Sequence, residues 1–348
     1  MYGPARRLQP PLLLLALLVA ACAPDRTPTP TTHRPFAPTI SQPVEAGADH
    51  LLPLADGEAA FDAIAKVLET AQRTIHLEMY EFQRMDLASL LVEASDRGVL
   101  VTAIKDPSER SSRNTWAELE QAGVRVVAFP VERSTIDHVK LLIVDQARAI
   151  VGGINWGTRS PLNHDFDIVA TGPVVANLER VFQQDLALAG EPATIPPPSR
   201  DPVIQVLVTR PGDGIRSAVL SAIRSSRRTI DLEMFVLSDR LVLEALQDAL
   251  RQGIRLRVLL DPTQPQNSDS MAMLRTKGAA VRLYAQAGDE LLHAKLAIFD
   301  NDIVLFGSCN WSLSGFTRNH ELDVLVKAPA LATAFASRLE EDWVASAA

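Results

Sequence analysis

The sequence repeats itself once, in register, and that duplication limits what it can fold into. The run Thr74-Ile75-His76-Leu77-Glu78-Met79-Tyr80 returns 155 residues later as Thr229-Ile230-Asp231-Leu232-Glu233-Met234-Phe235. The same shift carries Gly98 onto Gly253, Asp106-Pro107 onto Asp261-Pro262 and Gly123 onto Gly278. It also carries His138-Val139-Lys140 and Asp145 onto His293-Ala294-Lys295 and Asp300. Each cluster is followed by a glycine turn bearing an asparagine, Gly152-Gly153-Ile154-Asn155 and Gly307-Ser308-Cys309-Asn310. A constant shift over so long a span means two copies of one structural unit, and two copies make a pseudo-dimer rather than a solenoid.

Inside each copy strands and helices alternate. Residues 74–80 place Ile75, Leu77 and Met79 on one face, a strand pattern. Residues 87–97 have helical spacing and stop at Gly98. Residues 99–104 read as a buried strand closed by Asp106-Pro107, since proline cannot continue the ladder. A helix over 114–122, strands at 124–129, 138–144 and 149–151, and a closing helix over 174–188 complete the unit. Such alternation predicts an α/β fold, two tandem α/β/α sandwiches with mixed central sheets related by a pseudo-twofold axis. Residues 190–202 carry five prolines and no periodic pattern, so the halves are placed at 44–190 and 203–348 with a linker at 191–202.

On a strand, His138 and Lys140 share a face, as do His293 and Lys295. An imidazole beside an ammonium is a poor metal site and a good anchor for a phosphate. Asp145 and Asp300 have the opposite parity, which suits bracing a turn or pairing with a distant cation. The amides of Asn155 and Asn310 follow glycines that permit close backbone approach. Brought together, the halves offer two His, two Lys and two Asn to one phosphodiester. One imidazole attacks phosphorus, the other protonates the leaving oxygen, and the lysines stabilise the phosphoryl charge. Asp165 and Glu321 follow His138 and His293 by 27 and 28 positions and are expected to accept the other ring N–H of these histidines.

H-x-K-x4-D followed by x6-G-[GS]-x-N, present twice, resembles the signature of the phospholipase D superfamily. That resemblance covers about residues 50–345. It implies paired domains of the phospholipase D type, a covalent phosphohistidine and neither metal nor cofactor, with His138 as nucleophile and His293 as general acid; pseudo-symmetry leaves the reverse order open. The catalytic set would be His138, Lys140, Asn155, Asp165, His293, Lys295, Asn310 and Glu321. Gly152, Gly153, Gly307, Ser308, Asp145 and Asp300 would shape the motif. Glu78 and Glu233 either line the cleft or lie beneath it; His164 and His320 are expected to make structural hydrogen bonds. Trp156 and Trp311 should pack beside their turns, Cys309 should be an inert buried thiol, and His33, His50 and His76 carry no pattern.

The N-terminus adds a location. Arg6 and Arg7 precede an apolar run over 12–19, too short to span a membrane unaided, and Leu18-Val19-Ala20-Ala21-Cys22 resembles a bacterial lipobox. Residues 1–22 are therefore expected to be a lipoprotein signal with Cys22 acylated, and the Pro/Thr-rich 23–43 a tether. Ala23 after the cysteine favours the periplasmic side of the outer membrane. Acylated Cys22 would leave Cys309 without a disulfide partner. The formal charge of −8 becomes −10 once Arg6 and Arg7 are removed, which favours a phospholipid over a nucleic acid as substrate. The expected activity is hydrolysis of glycerophospholipids to phosphatidate by a lipid-anchored monomer. Alternatives are a phosphatidyltransferase of the cardiolipin synthase kind, an exported nuclease, and a non-catalytic envelope-binding protein.

Overall fold

The computed structural model describes Gly3 and residues 42–346 apart from 133, 134 and 211. Nearly all of the expected signal segment and tether, with Cys22 and His33, lies outside the described residues. The first half holds strands β1 Val44–Ala46, β2 Asp49–Leu54, β3 Thr74–Met79, β4 Leu100–Lys105, β5 Arg125–Ala128, β6 Lys140–Val144, β7 Arg148–Gly152 and β8 Asp167–Thr171. Its helices are α1 Gly57–Glu69, α2 Met85–Asp96, α3 Arg113–Gln121 and α4 Val174–Leu188. The second half holds β9 Ile204–Val208, β10 Thr229–Met234, β11 Arg255–Leu260, β12 Ala280–Leu283, β13 Lys295–Phe299, β14 Ile303–Gly307 and β15 Leu322–Lys327. Helices α5 Gly214–Ser225, α6 Arg240–Arg251, α7 Gln266–Arg275, α8 Leu313–Thr317 and α9 Pro329–Ala345 accompany them.

The sheets run β1-β2-β8-β7-β6-β3-β4-β5 and β12-β11-β10-β13-β14-β15-β9. In each, the strand pairs joined by crossover helices are parallel (β3–β4–β5, β10–β11–β12) and the hairpin-linked ones antiparallel, so both sheets are mixed. Asp56 and Asp239 cap α1 and α6, accepting the N–H of Ala59 at 2.7 Å and of Val242 at 3.1 Å. Gly98 and Gly253, at φ +91° and +85°, turn the chain out of α2 and α6. The β1–β2 hairpin and β9 form edges that the sequence pattern does not reveal.

Each sheet has its own apolar layer on the outer face, against α1–α3 in one half and α5–α7 in the other. The inner faces share a third core, which joins Leu141, Val151 and Phe166 to Leu296, Phe306 and Leu322 through α4 and α9. The closing helices contact both halves: α4 reaches β9, and α9 reaches β1 and β2. Each half is thus a helix–sheet–helix sandwich, and the reactive motifs face the common seam. No helix among the described residues is long and apolar enough to cross a membrane.

Candidate active site

Lys140 and Lys295 open β6 and β13, strands in which all five residues are buried. The residues just ahead of them dock on the opposite half. The His138 N–H donates to the His320 carbonyl at 2.8 Å, and the His320 N–H to the Ile136 carbonyl at 2.8 Å. Likewise His293 donates to the His164 carbonyl at 2.9 Å, and His164 to that of Leu291 at 2.8 Å. Each reactive segment therefore borrows its backbone partners from the other copy.

The carboxylates follow the same rule and correct an expectation from spacing. His138 Nδ1 lies 2.9 Å from Oε2 of Glu321, and His293 Nδ1 lies 2.7 Å from Oδ2 of Asp165. Each histidine is held by the carboxylate of the other half, not its own. The cause is strand order: β7 lies between β6 and β8, so the starts of β6 and β8 are two strand spacings apart, roughly 9–10 Å. Asp165 cannot span that gap, whereas the pseudo-twofold axis brings Glu321 against His138. With the proton on Nδ1 committed to a carboxylate, Nε2 of each ring keeps its lone pair.

The site is buried but not sealed, with the side chains of His138 and His293 8 % and 9 % exposed. Burial, reinforced by Lys295, pushes the His293 imidazolium down to about 4. Burial also lowers His138, with Glu321 opposing it. Lys140 is pulled down to about 7 by burial, to which Lys295 adds. Lys295 is lowered by the same burial and lies 3.1 Å from His293 Nε2. Burial pushes Glu321 up, but His138 and Lys140 outweigh it and hold the carboxylate below its usual range. Two lysines that repel each other in a dry cleft are a standing demand for an anion. The side-chain oxygens of Asn155 and Asn310 are buried with no protein partner, and Asn155 lines the same pocket as His293.

The glycine turns are shaped by carboxylates that the sequence pattern did not single out. A Cβ at Gly152 or Gly307 would fall 2.1 Å or 2.4 Å from an oxygen of Asp167 or Asp323. Those oxygens accept the N–H of Ile154 at 3.3 Å and of Cys309 at 3.0 Å, which sets the turns. At Gly153 a Cβ would meet Asp165 at 2.2 Å; Ser308, its counterpart, instead donates its hydroxyl to Glu321 at 2.5 Å. Tyr80 and Phe235, also unassigned from sequence though matched by the repeat, lie beneath the lysines at 5.3 Å and 5.4 Å. Asp145 and Asp300 do not join the cleft. Asp145 accepts the N–H of Gln72, Arg73 and Thr74, and Asp300 those of Arg227, Arg228 and Thr229, tying strand starts to the β6–β7 and β13–β14 turns.

Trp156 and Trp311 are buried, and Cys309 is a buried free thiol raised well above its ordinary value by burial. His76 has a partner after all, Glu179 at 2.8 Å, and stacks on Phe182. Glu78 and Glu233 lie wholly beneath the cleft rather than in its lining. Beside His293 and Asn155 opens a pocket of about 530 Å³ with Glu81, Thr158 and Gln286 in its wall. At these three wall positions the repeat puts Val236, Leu313 and Val131 in the other half.

The fold and the site define a class: a duplicated α/β protein in which two His/Lys/Asn sets, one from each copy, converge on one anion-accepting cleft. A family model described as cardiolipin synthase, PLD-like domain, matches residues 64–186 and again 219–343, and the chain belongs to the phospholipase D superfamily. Cardiolipin synthase A of Pseudomonas entomophila is 27% identical over 327 residues, which cover 83% of this chain and 67% of that protein. Cardiolipin synthase A of Pseudomonas fluorescens SBW25 is 26% identical over 325 residues, with the same coverage. The fold is shared with phosphatidylserine synthase of Haemophilus influenzae (TM-score 0.64, 12% identity, 88% of each chain). It is also shared with polyphosphate kinase of Porphyromonas gingivalis (TM-score 0.61, 16% identity, 90% of this chain and 52% of that one).

Proposed function

We propose that this protein transfers phosphatidyl groups between alcohols, taking phosphatidylglycerol as donor and a second glycerol-type hydroxyl as acceptor. The observation that carries the reading is the crossed pair of carboxylate-held imidazoles flanking two buried lysines. The likeness to proteins named cardiolipin synthase A supports transfer over the hydrolysis expected from sequence. In the first step Nε2 of one histidine attacks phosphorus, the bond from phosphorus to the headgroup oxygen breaks, and the second imidazolium gives that oxygen its proton. In the second step the acceptor hydroxyl returns a proton to the second imidazole as its oxygen attacks phosphorus, and the phosphorus–nitrogen bond breaks. Lys140, Lys295, Asn155 and Asn310 hold the non-bridging oxygens throughout.

The polar pocket at His293 supports the alcohol entering and leaving on that side. In-line displacement then puts His138 opposite, as nucleophile, and makes His293 the group that exchanges a proton with the alcohol. In the empty cleft His293 is neutral; a phosphate between the lysines offsets their charge, so protonation of His293 accompanies substrate binding. Acylation at Cys22 and an envelope location belong to the same proposal, because a tether would hold the cleft near lipid. The test is the full chain with phosphatidylglycerol vesicles, followed by phosphorus NMR. Cardiolipin with released glycerol is the expected product. Phosphatidate alone would make the chain a hydrolase, and inert vesicles alongside degraded single-stranded DNA would make it a nuclease.

A further inference from the structure

Beneath the cleft lie two buried polar clusters that the reaction itself does not use, and each joins the halves. His320 puts its ring Nε2 3.0 Å from Asp185 of α4 and stacks on Phe129 at 4.8 Å, with Glu78 of β3 and Asp137 close by. His164 does the same in the other direction. Its Nε2 lies 3.1 Å from Glu233 of β10 and 3.0 Å from Asp342 of α9, and it stacks on Tyr284 at 5.8 Å. All these carboxyls and rings are buried. The backbone of these two histidines is what the reactive segments dock on: the His320 carbonyl accepts the His138 N–H, and the His164 carbonyl accepts that of His293. One residue further on stand Glu321 and Asp165, the carboxylates that hold the reactive rings.

We propose that His320 and His164 are positioning residues, each anchored in an acidic socket of the opposite half and each fixing the carbonyl and the carboxylate that aim one reacting imidazole. The two sockets are charged differently. Arg338 donates to His164 Nδ1 at 3.1 Å, which leaves the proton on Nε2 facing Glu233 and Asp342, so His164 is a neutral ring with the positive charge carried by the guanidinium. In the helix register set by Asp185 and Asp342, the counterpart of Arg338 is Val181. On that side Leu292 of the second half is replaced by a further acid, Asp137. The His320 socket therefore gathers Glu78, Asp137 and Asp185 around one ring, with Glu321 behind it, and among the described residues the cation that faces these acids is the imidazolium itself. Burial opposes that charge, but Asp185 and Asp137 outweigh it and hold His320 above its usual range. The oxygens of Glu78 have no donor in reach, and burial, with Asp185 and Asp137 adding to it, pushes Glu78 well above the ordinary carboxylate range, so Glu78 keeps a proton beside the other two acids.

The inference rests on the imidazole pair as the reacting groups, so bis(4-nitrophenyl) phosphate, which needs no lipid recognition, is the probe. The full chain and its His320→Ala, His320→Gln, Asp185→Asn and His164→Ala variants are compared for kcat, KM and melting. His320→Ala should lower kcat about ten- to a hundredfold with KM changed less than about twofold, the scale for a residue that orients a reacting group through another. His164→Ala should lower kcat as much by slowing hydrolysis of the phosphohistidine, where His293 takes the proton from water, while sparing the first release of 4-nitrophenolate. His320→Gln, which keeps a donor toward Asp185, should recover most of the loss. If His320→Ala does not fold, the near-isosteric Asp185→Asn must still show the kcat loss at unchanged KM. Undiminished kcat in folded His320→Ala or Asp185→Asn overturns the proposal, as does a loss that falls equally on kcat and KM. A wild-type chain that cleaves neither probe nor lipid removes the reaction and the positioning role together; one that cleaves only the probe sinks the phosphatidyl-transfer reading and leaves this one standing.

Discussion

The crossing of carboxylates between halves can be read directly, without an activity assay. Replacing Glu321 by Gln keeps the shape and removes the charge that accepts the His138 Nδ1 proton at 2.9 Å. Hydrogen bonds to a charged group contribute about 1.5–3 kcal/mol, so the imidazolium of His138 should lose about 1–2 pKa units of support. The amide can also donate to Nδ1, which would move the ring proton to Nε2 and remove the lone pair needed for attack. Loss of the correct tautomer at a comparable site in a serine protease costs about 10⁴ in rate, and a fall of roughly 10²–10⁴ is expected here. The decisive assay is low-field proton NMR. A resonance lost in His138→Asn belongs to the Nδ1 proton of His138, and it should also be lost in Glu321→Gln while surviving in Asp165→Asn. The His293 signal should show the reverse. If the His138 resonance survives Glu321→Gln and disappears in Asp165→Asn, each half braces its own histidine and the crossed arrangement is wrong.

His138→Asn and His293→Asn should each abolish lipid turnover, and substantial activity in either would break the two-histidine assignment. Turnover is expected to persist in EDTA, because lysines and amides supply the phosphoryl contacts; a chelator-sensitive reaction would require another account. Because Lys140 holds its proton in the empty cleft only below about 7, kcat/KM should decline as pH rises through that value, and a flat profile from pH 6 to 9 would contradict it. The folded value lies below the unfolded one of about 10.4, so between them the unfolded chain binds more protons and stability should grow with pH. Lys140→Met should therefore melt higher than wild type at pH 7 and lose that pH dependence, while being inactive. With His293 as the acid, Asp165→Asn should slow release of glycerol far more than release of 4-nitrophenolate, which needs no proton; equal slowing would reverse the histidine roles.

The repeat made much of the fold legible, because a constant shift from residue 74 to Asn310 aligns strands, glycine stops and the reactive cluster at once. Period-two runs such as Ile75, Leu77 and Met79 mark strands from their own residues. The β1–β2 hairpin escaped notice because β2 carries Asp49 and Pro53, and its partner is β8, far along the chain. The polar sockets were equally hidden. Nothing about Asp185 or Asp342, each inside an amphipathic helix, separates it from a solvated residue until α4 and α9 are placed between the two sheets. The role of His76 is hidden for the same reason, since Glu179 lies on α4, 103 positions away in sequence.

The partners of Asp165 and Glu321 show that short sequence separation is a poor guide wherever a duplicated unit meets itself about a twofold axis. Two residues on alternate strands of one sheet stay roughly 9–10 Å apart however few residues join them. Their symmetry mates can touch. A site built that way uses the seam for everything that must be exact: the His138 and His293 backbones, their ring partners and the sockets of His320 and His164 all cross it. Neither half alone can then hold a reactive imidazole in the right tautomer. The reaction becomes available only when α4 and α9 have closed the shared core, which ties catalysis to the one interface that duplication created.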